Sequence, residues 1–273
     1  MNERRNTQKD GLYATWFGQS EQPRIVLVHG SQWQDPDKNF AHQRVLAEQF
    51  ELALPHRRGY GNSTSAQRTP NFEPDISDMG VLLGEQGAHL IGESYGGWVA
   101  LLTALRWPKR IKSLTLIEPI AFGLAQDTHP EVQQFVNALK AVFSAANPET
   151  PEVFAASFLS VMRGQILAPR PVSDEARHGI LAMLSEARTW DVHLEVAALA
   201  QAPFPKWVVS GGWHPAFEAI CDVLATQIQA QRSIIKGHGH SPQDADAGVP
   251  FNAAWHLMSH KSIASLAGAI TMK

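Results

Sequence analysis

The stretch Leu90-Ile91-Gly92-Glu93-Ser94-Tyr95-Gly96-Gly97 decides how this chain is read. It contains the pattern G-x-S-x-G. The run His89-Leu90-Ile91 stands before the pattern, and Trp98-Val99-Ala100-Leu101-Leu102-Thr103-Ala104-Leu105 follows it. That order predicts a strand, a sharp turn and a helix. A serine on such a turn takes strained backbone angles. Gly92 and Gly96 let strand and helix approach closely. The serine oxygen then stands above the strand end, where a helix N-terminus favours negative charge. The pattern alone carries little weight in a chain with 20 glycines. The flanking strand and helix give it meaning.

Working outward, Arg24-Ile25-Val26-Leu27-Val28 is a continuous apolar run, the pattern of a strand buried on both faces of a parallel sheet. It ends at the loop His29-Gly30-Ser31-Gln32-Trp33. Upstream, residues 1–10 read as a frayed tail and Leu12 to Phe17 as an edge strand. Downstream come a helix at 38–49, a strand at 50–54, the turn-rich loop Arg57-Arg58-Gly59-Tyr60-Gly61-Asn62-Ser63 and a helix at 75–85. After the Ser94 helix, Pro108 stops the periodicity and Ser113 to Ile117 is another buried strand.

Composition shifts at residue 120. No buried strand is visible up to 204, only helical patterns at 130–146, 151–163 and 173–199. Residues 120–204 therefore read as a helical cap inserted into a core of 1–119 and 205–273. Strand signals return at 206–210 and 233–235, with a helix at 217–230 between them and a closing helix from Phe251 to about His260. Alternating strands and helices predict the α/β class, with a mostly parallel sheet covered on both faces. Functional groups belong on loops at the C-terminal ends of its strands.

The chain's 273 residues suffice for one large α/β unit with an insertion. A net charge of -3 without basic clusters argues against nucleic acid as a partner. Cys221 is the single cysteine, which excludes an intramolecular disulfide and a cysteine-based zinc site. The polar N-terminus shows no secretory signal, and no apolar run reaches membrane-spanning length, so a cytoplasmic location is expected.

Acyl transfer by a serine needs a nucleophile, a base, a group that orients the base, and donors for an oxyanion. Ser94 is the candidate nucleophile. His240, in the loop after the last strand, is the candidate base, with His238 as its rival. The N–H groups of Tyr95 and Ser31 are the candidate oxyanion donors, with Gln32 the alternative to Ser31. Trp33, Trp213 and His214 are candidate substrate-pocket residues.

With these residues in place, the sequence resembles the α/β-hydrolase superfamily over nearly its whole length. VLVHGS at 26–31, RRGYGNS at 57–63, LIGESYGG at 90–97 and GHGHSP at 237–242 carry the likeness, in order and spacing. The resemblance implies an eight-stranded, mostly parallel sheet, a helical cap and a Ser–acid–His triad. The family usually places its acid as an aspartate in a G-G-x-D stretch. Here that stretch is Gly211-Gly212-Trp213-His214, and a histidine cannot stabilise an imidazolium. Glu118, at the end of the strand after the Ser94 strand, is the substitute that the resemblance offers. Glu218 and Asp222 are the alternatives, while Asp244 and Asp246 follow His240 too closely. His56 stands where relatives often carry a structural aspartate, and it is assigned no catalytic role. Asp78 likewise reads as a cap or surface group.

The expected function is a serine hydrolase that cleaves an ester, lactone or related acyl substrate. No metal or cofactor is implied, the partner is a small acyl substrate, and the protein is a monomer or homodimer. The competing readings are carbon–carbon bond hydrolysis, a lyase or cofactor-free peroxidase on the same site, thioesterase action on a carrier-bound chain, and a non-catalytic small-molecule binder.

Overall fold

The computed structural model describes residues 5–31, 33–63 and 71–244. Gln32, Asp246 and the closing helix expected at 251–260 lie outside the described residues. In chain order the elements are β1 (Arg5–Lys9), β2 (Leu12–Phe17), β3 (Arg24–Val28), β4 (Glu51–His56), α1 (Glu73–Leu83), β5 (Ala88–Glu93), α2 (Tyr95–Arg106) and β6 (Ile111–Ile117). Then follow α3 (Pro130–Ser144), α4 (Pro151–Arg163), α5 (Asp174–Leu184), β7 (Lys206–Ser210), α6 (Pro215–Ile228) and β8 (Gln231–Ile234).

The eight strands form one sheet in the order β1-β2-β4-β3-β5-β6-β7-β8. β1 and β2 pair antiparallel, as do β2 and β4, and all other neighbours are parallel. The apolar runs explain the layering. Val26 and Val28 face one core cluster while Ile25 and Leu27 face the other, because successive side chains leave a strand on opposite faces. Burying each such side chain contributes roughly 1.5–3 kcal/mol. Two layers of helices therefore follow directly from strands without polar alternation.

Strand order reverses at the centre. From β3 the chain turns outward to β4, whereas from β5 it turns the other way to β6, and β3 and β5 are direct neighbours with Val28 opposite Gly92. Their loops part there and leave a crevice at the strand ends, which is where ligands bind in open α/β sheets. The loops carrying Ser31 and Ser94 flank this crevice.

Several expectations are corrected. Arg5 to Lys9 form a strand instead of a frayed tail, so Leu12–Phe17 lies inside the sheet and β1 is the edge. Residues 36–38 and 41–48 wind as short 3-10 segments, not an α-helix. The helix expected over 173–199 ends at Leu184. Beyond it the chain runs irregularly, and the Arg188 side chain takes up carbonyls at the helix end. Between β6 and β7 the described residues contain helices and no strand. Among the described residues no helix is long and apolar enough to cross a membrane.

Candidate active site

Ser94 leaves β5 and caps α2 with φ 55° and ψ −119°. Such angles cost a residue with a Cβ about 1–3 kcal/mol, so the surroundings must impose them. The Ser94 N–H donates to the Ile117 carbonyl at 2.8 Å, and its carbonyl accepts from Trp98 N–H at 3.2 Å. A Cβ on Gly92 would stand 2.1 Å from the Gly96 carbonyl oxygen, and one on Gly96 would stand 2.1 Å from that of Val28. Only glycine fits either place. Glu118 also has a positive φ, 45°, and is fully buried just past the end of β6. Its N–H is held by the Val209 carbonyl at 2.8 Å.

The structure brings Ser94, His240 and Glu118 together from three separate strand ends. His240 Nε2 lies 2.9 Å from Ser94 Oγ, and its Nδ1 lies 3.1 Å from Glu118 Oε2. Phe217 and Trp213 pack on the imidazole at ring-centroid distances of 4.6 and 5.8 Å and hold its plane. A hydroxyl bonded to an imidazole whose other nitrogen faces a buried carboxylate is the arrangement that general-base activation of a serine requires. His238 is exposed on the same loop.

Glu118 is held by the stretch that lacks the aspartate. Gly211 N–H donates to its Oε1 at 2.5 Å and Trp213 Nε1–H to its Oε2 at 3.1 Å. The Gly211-Gly212-Trp213-His214 loop thus supplies donors to a carboxylate arriving from β6, where a relative would supply the carboxylate itself. His214 caps α6, accepting from Ala216 N–H at 3.2 Å and packing on Phe135, and it does not line the cavity described below. The rival acids are engaged elsewhere. Glu218 accepts from Ser210, Gly212 and Arg232, and Asp222 pairs with Arg232.

A second carboxylate reaches the site, and the sequence reading overlooked it. Glu93, beside the serine, is buried, with Oε2 accepting from Gly30 N–H at 3.1 Å and Asn39 Nδ2–H at 3.4 Å. Its Oε1 lies 3.7 Å from His240 Nε2. Burial pushes the Glu93 carboxyl up to about 7, against the pull of His240 and the two donors. For His240, burial alone disfavours the imidazolium, but the Glu118 bond and the charges of Glu93 and Glu118 outweigh it and raise the pKa. A signal for Glu93 was present: a carboxylate at the end of an otherwise apolar strand needs a partner.

The expected oxyanion donors flank Ser94. Tyr95 is the first residue of α2, so its N–H has no intrahelical acceptor. Ser31 follows β3, and its hydroxyl donates to Glu186 Oε2 at 2.6 Å. Glu186, just past α5, also accepts from Tyr60 at 2.7 Å and from fully buried Arg57 at 2.6 Å. Burial alone would lower the Arg57 pKa, but Glu186 leads the groups that raise it. Arg57 in turn donates to the carbonyls of His29 and Gly30, each at 2.9 Å. Nothing in the sequence around Glu186 marked it for this contact.

Ser94, His240, Ser31 and Trp33 border a cavity of about 310 Å³ whose walls include Phe135, Leu139, Phe143 and Phe158. Elsewhere Asp35, Asp37 and His56 lie close enough to suggest a cation site. His56 Nδ1 accepts from Asn62 N–H at 3.0 Å, which leaves the proton on Nε2, facing Asp37 at 3.2 Å. Asp37 also accepts from Thr15 at 2.9 Å, so this cluster braces the loop after β4.

Comparison with known proteins places the chain among α/β hydrolases. The pimeloyl-[acyl-carrier protein] methyl ester esterase of Aeromonas salmonicida (strain A449) is 32% identical over 120 residues, 42% of this chain and 44% of that protein. The bifunctional esterase/perhydrolase DCH of Acinetobacter calcoaceticus is 31% identical over 108 residues, 37% of this chain and 39% of that protein. The matched stretch therefore spans less than half the length of these curated relatives. The crystal structure of carboxylesterase CesB (YbfK) from Bacillus subtilis superimposes with a TM-score of 0.63 at 18% identity, covering 96% of this chain and 93% of that one. It shares the fold. The Alpha/beta hydrolase family profile matches residues 25–254, most of the chain, and the protein belongs to that family.

Proposed function

We propose that the protein is a serine hydrolase acting on an ester, lactone or related acyl substrate through an acyl-enzyme on Ser94. One observation carries this reading: the continuous hydrogen-bond chain from Ser94 Oγ through His240 to Glu118. His240 takes the serine proton as Oγ attacks the carbonyl carbon. Glu118 keeps Nδ1 protonated and balances the imidazolium. The Tyr95 and Ser31 N–H groups receive the oxyanion. His240 then returns its proton to the leaving group and activates water to release the acyl group. Residues 120–204 act as a cap over the strand ends, and their aromatic side chains shape the acyl pocket. The esterase names of the two relatives support the choice of substrate class.

A fluorophosphonate probe should label Ser94 and not the Ser94→Ala variant. Absence of labelling on the intact protein overturns the reading. Glu118→Gln should lower kcat on a para-nitrophenyl ester by at least about 10²-fold, since the neutral amide no longer favours the required tautomer. Full turnover by Glu118→Gln would show that the acid lies elsewhere.

A further inference from the structure

Arg188 is the one arginine or lysine among the described residues that line the cavity beside Ser94. It lies two residues beyond Glu186 on the irregular segment after α5. Its Nη1 donates to the carbonyls of Glu186 at 2.7 Å and Met183 at 3.3 Å, and its Nη2 donates to that of Leu184 at 2.9 Å. Two of these carbonyls belong to the last turn of α5, where helical donors run out, and that of Met183 also accepts from Glu186 N–H at 3.2 Å. The guanidinium also lies over the Phe143 ring, 4.2 Å from its centroid, and 5.8 Å from that of Trp190. It is therefore held in place on the cavity wall. A guanidinium offers five N–H donors, so donors remain beyond the three bonds made to the protein.

The charge around Arg188 is incompletely balanced. Burial lowers its pKa, and Glu186, although it pulls in the other direction, does not restore it. The Glu186 carboxylate is itself engaged by Arg57, Tyr60 and Ser31. Phe135, Leu139, Phe158 and Met162 make much of the remaining wall apolar, and the carboxylates of Glu93 and Glu186 also line it. A partly desolvated cation in such a wall is stabilised by an anion that accepts from its remaining N–H groups, and carboxylates match guanidinium geometry.

We infer that Arg188 binds a carboxylate on the substrate, remote from the bond that Ser94 attacks and joined to it by an aliphatic chain. The substrate class is thus an ester that ends in a carboxylate, such as a half-ester of a straight-chain dicarboxylic acid. This deepens the hydrolase reading and rests on it for the word substrate. The anion site itself rests on the geometry of Arg188.

The test separates the two. Binding to Ser94→Ala, which needs no turnover, is measured by calorimetry for monomethyl esters of glutaric to suberic acid and for neutral methyl esters of equal length. At one length or more, the half-ester should bind about tenfold tighter than its neutral partner. Adding Arg188→Gln should erase that difference, and Arg188→Lys should retain part of it. No preference at any length, or a preference that survives Arg188→Gln, overturns the inference. In otherwise wild-type protein, the ratio of kcat/KM for para-nitrophenyl half-esters to that for neutral para-nitrophenyl esters should fall about tenfold in Arg188→Gln. Equal losses on both esters would make Arg188 a brace for its segment and overturn the inference. If no ester is hydrolysed but the binding preference holds, the hydrolase reading falls and the anion site stands.

Discussion

At the scale of single residues, the site is set by two carboxylates that meet one imidazole from opposite sides. Glu118 faces His240 Nδ1, while Glu93 faces Nε2 at 3.7 Å, next to the serine oxygen. In the proposed mechanism only neutral His240 accepts the serine proton, and its pKa is raised. Activity should therefore rise with pH along a limb lying above the ordinary histidine value. Glu93→Gln removes one of the charges that raise it, so the acidic limb of the kcat/KM profile should move to lower pH. An unmoved limb would show that Glu93 does not act on His240. The same variant makes a stability prediction of definite sign. The folded-state pKa of Glu93, about 7, exceeds its ordinary 4.5, so ionisation opposes folding as pH rises between those values. Above that window the folded state bears a cost of about 3 kcal/mol. Glu93→Gln should match the parent near about pH 4 and exceed it near about pH 8 by that order, as read from urea midpoints. His240 was legible as a candidate base because it follows the last strand, although His238 shares that loop. Glu93 was not, because its role depends on where the β3 loop and the His240 loop arrive in space.

At the scale of elements, the β5–α2 turn fixes where Ser94 stands. Three backbones converge there, and the space left at Gly96 is closed by the Val28 carbonyl oxygen at 2.1 Å from any added Cβ. Gly96→Ala should destabilise the fold by about 2 kcal/mol or more, since the obstacle is backbone and has no rotamer to yield. A urea midpoint unchanged from the parent would refute that. The strand runs around this turn were readable because a parallel strand buried on both faces leaves no room for polar alternation. Helix ends were less readable. The periodicity at 173–199 continues past Leu184, yet the helix stops there, because Glu186 turns toward Arg57 and Arg188 takes the last carbonyls. Those are tertiary contacts, and amphipathic spacing carries no record of them. β1 was hidden for a related reason. Its residues are polar and mostly exposed, and it exists through pairing with β2.

At the scale of the whole molecule, the segment after α5 is tied to the β3 loop through buried charge. Glu186 takes bonds from Arg57, Tyr60 and Ser31, so one carboxylate connects the helical block to the loop after β3, which carries a proposed oxyanion donor. Glu186→Gln leaves Arg57 buried with Asp75 at 3.9 Å as its nearest remaining ion partner. The loss should be about 3 kcal/mol, measured by chemical denaturation, because a buried charge without its partner is strongly unfavourable. A loss below about 1 kcal/mol would mean that Asp75 compensates. The strand–turn–helix around Ser94 and the place of His240 in the loop after the last strand were legible in the sequence alone, since each rests on local pattern and on position along the chain. The proposed acid shows the boundary. Its absence from the Gly211–His214 loop was visible in the sequence, and Glu118 could be named only as a substitute. That Glu118 meets His240, held by Gly211 and Trp213, was decided by the packing of β6 beside β7. So were the contacts of Glu93, Glu186 and Arg188, because a buried charge is placed by the partners that surround it, and those partners come from distant parts of the chain.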